Sequence, residues 1–316
     1  MQIKNEKFDI LVQRFGDRIE IDKDLSQYFT LKLHIIADYF FEAKSVEDWR
    51  EIMSVVDEYD IPYLIIGGGS NIAIFQQRIS RLVIQNRFVQ KSVEHETEDY
   101  IDLKISSGYS MSRLVKETIE LGYSGFEYHQ GLPGTLGGAI YMNSKWTRPL
   151  SYVSDPLLIA TVMDQDGATR KETREYFDFS YDYSVLQNTG EIFIDGVFRL
   201  MKHDVLDLRK RSEEALLYRK NTQPFGVSTG GCFFQNISEK EREKHNLPTG
   251  SAGYLIDSAG LKGKIIGGFQ VSEKHANFIV NIGDGTHEDL SELINVVKRT
   301  VKEKFDVDLK EEVRII

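Results

Sequence analysis

The chain has 316 residues, 41% of them hydrophobic and 28% charged, which is enough for two or three domains and excludes disorder, a disulfide scaffold and a membrane bundle. A formal net charge of -10 repels a phosphate backbone, so nucleic acid is excluded as a partner and an anionic ligand must be held by local donors. No apolar run approaches the ~20 residues of a bilayer span and the N-terminal segment is too charged for a secretory leader, so the expectation is a soluble cytoplasmic protein.

Taken in chain order, Ser45 and Asp48 have capping-box spacing, and Trp49, Ile52, Met53 and Val56 recur on one helical face. Tyr63 to Ile66 reads as a strand that ends abruptly in Gly67, Gly68 and Gly69. A second helix is predicted from Ser110 to Leu121, with Met111, Leu114, Val115 and Thr118 inward and Gly122 as its stop. The stretch Gly131-Leu132-Pro133-Gly134-Thr135-Leu136-Gly137-Gly138 is too glycine-dense for a helix or strand interior and is predicted to turn tightly. Leu158 to Met163 and Ile192 to Leu200 alternate as strands. Thr286 with Asp289 caps a helix whose inward face is Leu290, Leu293, Ile294, Val297 and Val301, and Val313 to Ile316 reads as a last strand. This is α/β or α+β grammar.

Glycines directly after a strand let backbone N-H groups approach a phosphate, and Ser70 and Asn71 would add polar contacts. The dinucleotide fingerprint needs a further glycine where Ile72 stands, and no Walker lysine follows either glycine cluster, so ordinary Rossmann and P-loop readings fail. A plain turn remains the alternative for Gly67 to Asn71. A second glycine loop favours a large dinucleotide such as FAD held by close backbone approach from both loops, with a packing turn as its alternative.

Cys232 is the one cysteine, so no internal disulfide or thiolate zinc cluster is available. Its setting in Gly230-Gly231-Cys232-Phe233-Phe234 fits either a proton-donating thiol or an inert buried one. Glu312 near the last strand reads as a solvated charge or a catalytic carboxylate, and Asn236, Lys262 and His275 are similarly open. No spaced histidine and carboxylate set suggests a metal.

The ordered segments resemble the UDP-N-acetylenolpyruvoylglucosamine reductase family from about Leu25 to the last residue. Leu64-Ile65-Ile66-Gly67-Gly68-Gly69-Ser70-Asn71 is similar to its first FAD loop, and Gly131 to Gly138 with Tyr141-Met142-Asn143 to its second. Tyr218-Arg219-Lys220-Asn221-Thr222-Gln223-Pro224, Gly231 to Asn236, Ala252 to Asp257, Gly260-Leu261-Lys262-Gly263 and Val271 to Asn277 continue the resemblance.

That resemblance implies an α+β chain with a two-domain FAD-binding fold of the vanillyl-alcohol oxidase type and a C-terminal α+β substrate domain. The implied boundaries are 1–84, 85–218 and 219–308, with 309–316 returning to the first domain. It implies a monomeric flavoprotein using non-covalent FAD and NADPH to reduce the enolpyruvyl group of a UDP-sugar, in peptidoglycan precursor synthesis for the cell wall. Hydride adds to the terminal carbon of an enol ether, charge builds on the conjugated carboxylate, and an acid protonates the adjacent carbon. Carried across, the proton donor is Cys232, where the family has serine, and the second catalytic residue is Glu312. The FAD contacts are Gly67, Gly68, Gly69, Ser70, Asn71, Gly131, Pro133, Gly134, Gly137, Gly138 and Asn143. Substrate contacts are Tyr181, Asn236 and Lys262.

Three departures stand out. Gln235 replaces a common lysine, Asn143-Ser144-Lys145-Trp146 replaces a run of glycine and alanine, and Asp182 occupies an arginine position in Phe179-Ser180-Tyr181-Asp182-Tyr183-Ser184. An ionised aspartate there would repel the substrate carboxylate. The expectations are a rescuing cation such as Arg219 or Arg148, a related flavoenzyme acting on another unsaturated or sugar-nucleotide substrate, or a flavin-binding protein without turnover. Neither glycine loop offers an obvious anchor for a covalent flavin, His129 being only the nearest residue, so non-covalent binding is the expectation.

Overall fold

The computed structural model describes residues 6–316; residues 1–5, with which the first expected domain begins, lie outside the described residues. The chain divides into two compact units, each drawn from separated stretches. The first takes residues up to Lys23, Ala37–Gly68 and Ile79–Leu217, and the second takes Asp24–Ile36, Gly69–Arg78 and Tyr218–Ile316.

The first unit holds two hydrophobic cores. In one, the helix Val46–Glu58 starts at Ser45, whose Oγ accepts from the Asp48 N-H at 3.0 Å. The Asp48 carboxylate turns to the Lys44 N-H at 2.7 Å, so the reciprocal half of the cap closes one residue early. Trp49, Ile52, Met53 and Val56 share a core with Phe41, Leu82 and Ile84 of a four-stranded sheet ordered Ile19–Asp24, Ile36–Ala43, Arg78–Asn86, Tyr63–Ile66. Each such side chain contributes about 1.5–3 kcal/mol by leaving water. Tyr63–Ile66 runs parallel to Arg78–Asn86, with Leu64 opposite Val83, and delivers Gly67 at its end.

The other core lies on a six-stranded antiparallel sheet ordered Thr169–Thr173, Leu157–Met163, Ile192–Lys202, Tyr100–Ser106, Lys91–Glu96, with Tyr123–Ser124 beside Ile192–Lys202. The helix Met111–Glu120 buries Met111, Leu114, Val115, Thr118 and Ile119, the face that its spacing predicts. Gly122 at φ +76° ends it. The expectation that Gly131 to Gly138 holds no helix needs correction. A six-residue helix, Leu136–Tyr141, begins inside that stretch, because Thr135 caps it and both glycines fall in its first turn.

In the second unit the helix His287–Phe305 carries the expected capping box of Thr286 and Asp289 and buries Leu290, Leu293, Ile294, Val297 and Val301. It packs with an antiparallel sheet ordered Ser228–Cys232, Phe278–Asn281, Phe269–Val271, Ile265–Ile266. The C-terminal strand Arg314–Ile315 pairs in parallel with Ile72–Ala73. Among the described residues, no helix is long and apolar enough to cross a membrane.

Burial alone would raise the Glu117 carboxyl, but hydrogen bonds from Lys91, from Tyr109 at 2.6 Å and from Arg113 at 2.6 Å hold it at about 2. A carboxyl depressed from 4.5 contributes stability that is complete above its unfolded value and is lost as pH falls towards 2. Acid unfolding followed by circular dichroism is therefore expected to be shallower between those limits for Glu117→Gln than for the wild type. Superimposable slopes would show that this cluster does not couple to folding.

Candidate active site

In the first unit the two glycine loops touch. A Cβ on Gly68 would lie 2.5 Å from Gly134 Cα, so that position admits no side chain, and one on Gly67 would lie 2.4 Å from Thr135 Oγ1 and displace that hydroxyl. Gly131 and Gly134 have φ of +80° and +96°, which turn the chain under this contact. The Gly137 N-H donates to Ser107 O at 2.8 Å and the Gly138 N-H to Thr135 Oγ1 at 3.4 Å. These two glycines therefore matter by having no side chain rather than by offering N-H groups. Gly68, Pro133 and Gly138 are exposed, and a Cβ on Gly138 would meet only Thr135 Oγ1, at 3.6 Å.

Asn143, buried and at φ +46°, donates from Nδ2 to Ser180 O at 2.9 Å and accepts from Ser154 Oγ at 2.6 Å. Its amide thereby ties the segment after the second glycine loop to the turn carrying Tyr181 and Asp182. Ser184 Oγ donates to Tyr141 O at 2.7 Å, and Gln187 Nε2 reaches both Tyr141 O at 3.0 Å and Asp182 O at 2.9 Å.

The turn puts Asp182 at φ +52° and leaves it 7% exposed. Its Oδ1 accepts from Lys145 Nζ at 2.9 Å, and the same ammonium lies 3.4 Å from the centroid of the Tyr181 ring. Asp182 is thus half of an ion pair rather than a lone negative charge. Lys145 is the residue that sequence reasoning passed over. Its signal was there, as two departures of opposite charge on segments that the fold joins.

His129 is fully buried, with Nε2 3.3 Å from Ser151 Oγ, and has no exposed nitrogen for a covalent flavin bond.

In the second unit the strand Ser228–Cys232 ends in Gly231 at φ +86° and a half-buried Cys232 that forms no disulfide, where its register against Phe278–Asn281 shifts. The next residues are tightly held. The Phe233 N-H donates to Asn277 O at 2.8 Å, while the Asn277 side chain bonds Phe234 on both sides, at 2.9 and 2.8 Å. The Glu312 N-H donates to Phe233 O at 2.9 Å, and Asn71 Nδ2 donates to Glu312 O at 3.3 Å. Cys232, Asn71 and Glu312, widely separated in sequence, are brought together around the Phe233 backbone.

The Arg219 guanidinium acts electrostatically on Cys232. Burial pulls Arg219 below its ordinary value, a negatively charged Cys232 sulfur opposes that, and an arginine stays charged under both influences. Gly69 at φ +58° packs on Tyr28, where a Cβ would lie 2.1 Å from Tyr28 O, and Ser70 is half-buried beside it in the chain. Asn236 and Lys262 fall at opposite ends of the helix Ala252–Ser258. Asn236 Oδ1 accepts from the Ala252 N-H at 3.0 Å, and Lys262 Nζ bonds Asp257 Oδ2 at 2.7 Å. Burial, with Lys262 second, lowers the His275 pKa, and its Nδ1 accepts from the Asn277 N-H at 3.2 Å, so the ring is neutral near pH 7.

Residues 37–172 match the FAD binding domain family, and residues 223–316 match the family of the UDP-N-acetylenolpyruvoylglucosamine reductase C-terminal domain. The first match encloses both glycine loops, and the exposed surface without Cβ atoms at Gly68 and Gly138 suits close approach by the bulky cofactor. Gly138→Ala fills only that outer surface, and alanine is the better helix former by about 1 kcal/mol. The variant is expected to keep or raise the melting temperature of the apoprotein while its flavin content, read by visible absorbance, falls severalfold. Gly68→Ala should lower both, because its Cβ strikes Gly134. Full flavin occupancy in Gly138→Ala would remove that glycine from the cofactor surface.

Similarity extends over the whole chain. The UDP-N-acetylenolpyruvoylglucosamine reductase of Bacillus velezensis is 36% identical, with 97% of this chain and 98% of the relative covered. That of Chlamydia trachomatis serovar A is also 36% identical, with 97% and 99% covered. The crystal structure of the Thermus caldophilus reductase superposes with a TM-score of 0.73 at 26% identity, covering 94% of this chain and 97% of the other. With its two domain matches in this order and relatives of this identity along its full length, the chain belongs to the UDP-N-acetylenolpyruvoylglucosamine reductase family.

Proposed function

We propose that this protein is a cytoplasmic, NADPH-dependent flavoenzyme that reduces UDP-N-acetylglucosamine enolpyruvate to UDP-N-acetylmuramate, a peptidoglycan precursor. The observation that carries the reading is the convergence of Cys232, Asn71 and Glu312 around Phe233 in a chain of this family. FAD, when bound, would supply the hydride chemistry, passing reducing equivalents of NADPH to the terminal carbon of the enolpyruvyl group. The two glycine loops, through Gly67, Gly68, Gly69, Ser70, Asn71, Gly131, Pro133, Gly134, Gly137 and Gly138, are assigned to holding that cofactor, with Asn143 fixing the segment behind them.

Cys232 is the proposed acid. Hydride arriving at the terminal carbon leaves an electron pair at the adjacent carbon, and the thiol proton moves there, completing the lactyl ether. The thiolate left behind is stabilised by Arg219 and recovers its proton from water. Glu312 is assigned as the second catalytic group. Tyr181, Asn236 and Lys262 are assigned to the nucleotide sugar. The active species is taken to be a monomer that engages neither nucleic acid nor membrane, in line with the net charge of -10.

In an anaerobic titration, NADPH is expected to bleach the flavin absorbance and the enolpyruvyl nucleotide to restore it. Bleaching without restoration would overturn the substrate and leave a flavoenzyme for another acceptor. Cys232→Ser, which keeps a proton to give, should restore the spectrum at a rate near that of the wild type, while Cys232→Ala slows restoration by about 10²–10⁴-fold. Equal rates in all three would dismiss Cys232 as the acid.

A further inference from the structure

The negative charge that develops in the proposed reaction lies on the substrate carboxylate, and the setting of Lys145 in the first unit suits it. Several other cations of that unit are committed. Arg170 bonds Asp164, Glu172 and Glu191, Arg199 forks onto Asp102 at 2.8 Å through two nitrogens, and Lys91 and Arg113 share Glu117. Lys145 gives one hydrogen bond, to Asp182 Oδ1 at 2.9 Å, and lies over the Tyr181 ring. An ammonium has three protons, so donor capacity remains. Its side chain is 18% exposed, and that of Asp182 is 7% exposed.

Asp182 Oδ2 is buried without a hydrogen-bond partner. The attraction within a buried pair repays its desolvation only when the remaining lone pairs are satisfied, so this pair contributes little to the fold. The positive φ of Asp182, held by the bonds of Gln187 and Asn143, fixes the ammonium in place.

We propose that Lys145 binds and neutralises the carboxylate of the enolpyruvyl nucleotide, with Asp182 as its positioning residue; this rests on the function proposed above. A carboxylate reaching the ammonium from the side away from Asp182 is nearer the positive charge than the negative one, so attraction exceeds repulsion. In this chain the charge-bearing side chain comes from the segment after the second glycine loop, and the aspartate serves to aim it.

The test is calorimetric titration of the FAD-loaded enzyme with UDP-N-acetylmuramate, which carries the carboxylate, and with UDP-N-acetylglucosamine, which lacks it. Lys145→Met is expected to weaken the first at least tenfold and to leave the second within twofold, with Lys145→Arg retaining most of the preference. Unchanged affinities, or equal losses for both ligands, would overturn the proposal. Should Lys145→Met fail to fold, Lys145→Gln, which is one atom shorter but keeps a polar, uncharged donor, is read by the same criterion. Asp182→Asn, whose amide oxygen still accepts from the ammonium, should keep or increase the preference, and its loss would refute the positioning role. Failure of the function reads differently, as an NADPH-bleached enzyme that the enolpyruvyl nucleotide does not reoxidise whatever residue stands at 145.

Discussion

The contact between Gly67–Gly68 and Gly134–Thr135 is the constraint from which the first unit's site follows. Two turns of main chain meet where a single added carbon would lie within about 2.5 Å of its neighbour, a distance that real side-chain carbons do not reach. The parallel strand Tyr63–Ile66 delivers one turn, and the cap of the helix Leu136–Tyr141 delivers the other. That helix places Asn143, whose amide holds Ser180, and the Ser180 turn in turn places Asp182 against Lys145. Each step is a short-range interaction, yet together they carry the geometry of the glycine loops to the ion pair.

The electrostatics have a local rather than a global character. The net charge of -10 gives no attraction for an anionic nucleotide or its carboxylate. Positive charge must therefore be supplied at chosen points, and both candidates pay a desolvation cost: Lys145 is partly buried beside Asp182, and Arg219 is half-buried within electrostatic reach of Cys232. Neither arrangement is a good way to stabilise a fold, since apolar packing would do as well without the cost. Their worth lies in a fixed charge position, which is what a reaction with developing charge needs.

In the second unit the same economy of parts is achieved with amides. The Asn277 side chain closes two hydrogen bonds on Phe234, and Asn71 reaches the carbonyl of Glu312, so two loops and the C-terminal segment are pinned without any charge. A half-buried thiol beside a backbone held by these hydrogen bonds suits the proposed proton donor better than one on a loop without them.

Helices Val46–Glu58, Met111–Glu120 and His287–Phe305 were legible in the sequence because cap residue, apolar spacing and stop are all local, and local signals survive without tertiary context. The strands Tyr63–Ile66, Leu157–Met163 and Ile192–Lys202 were legible for the same reason. The short helix inside the glycine stretch was not, since Thr135 as its cap outweighed the poor propensity of Gly137 and Gly138. The sequence by itself also determined which residues depart from the family pattern, at 145, 182, 232 and 235. Only the tertiary structure decided that the departures at 145 and 182 pair with each other. Whether Asp182 repels a ligand or anchors a lysine depends on a distance between two segments, and spacing along the chain carries no information about a contact closed by the packing of distant loops.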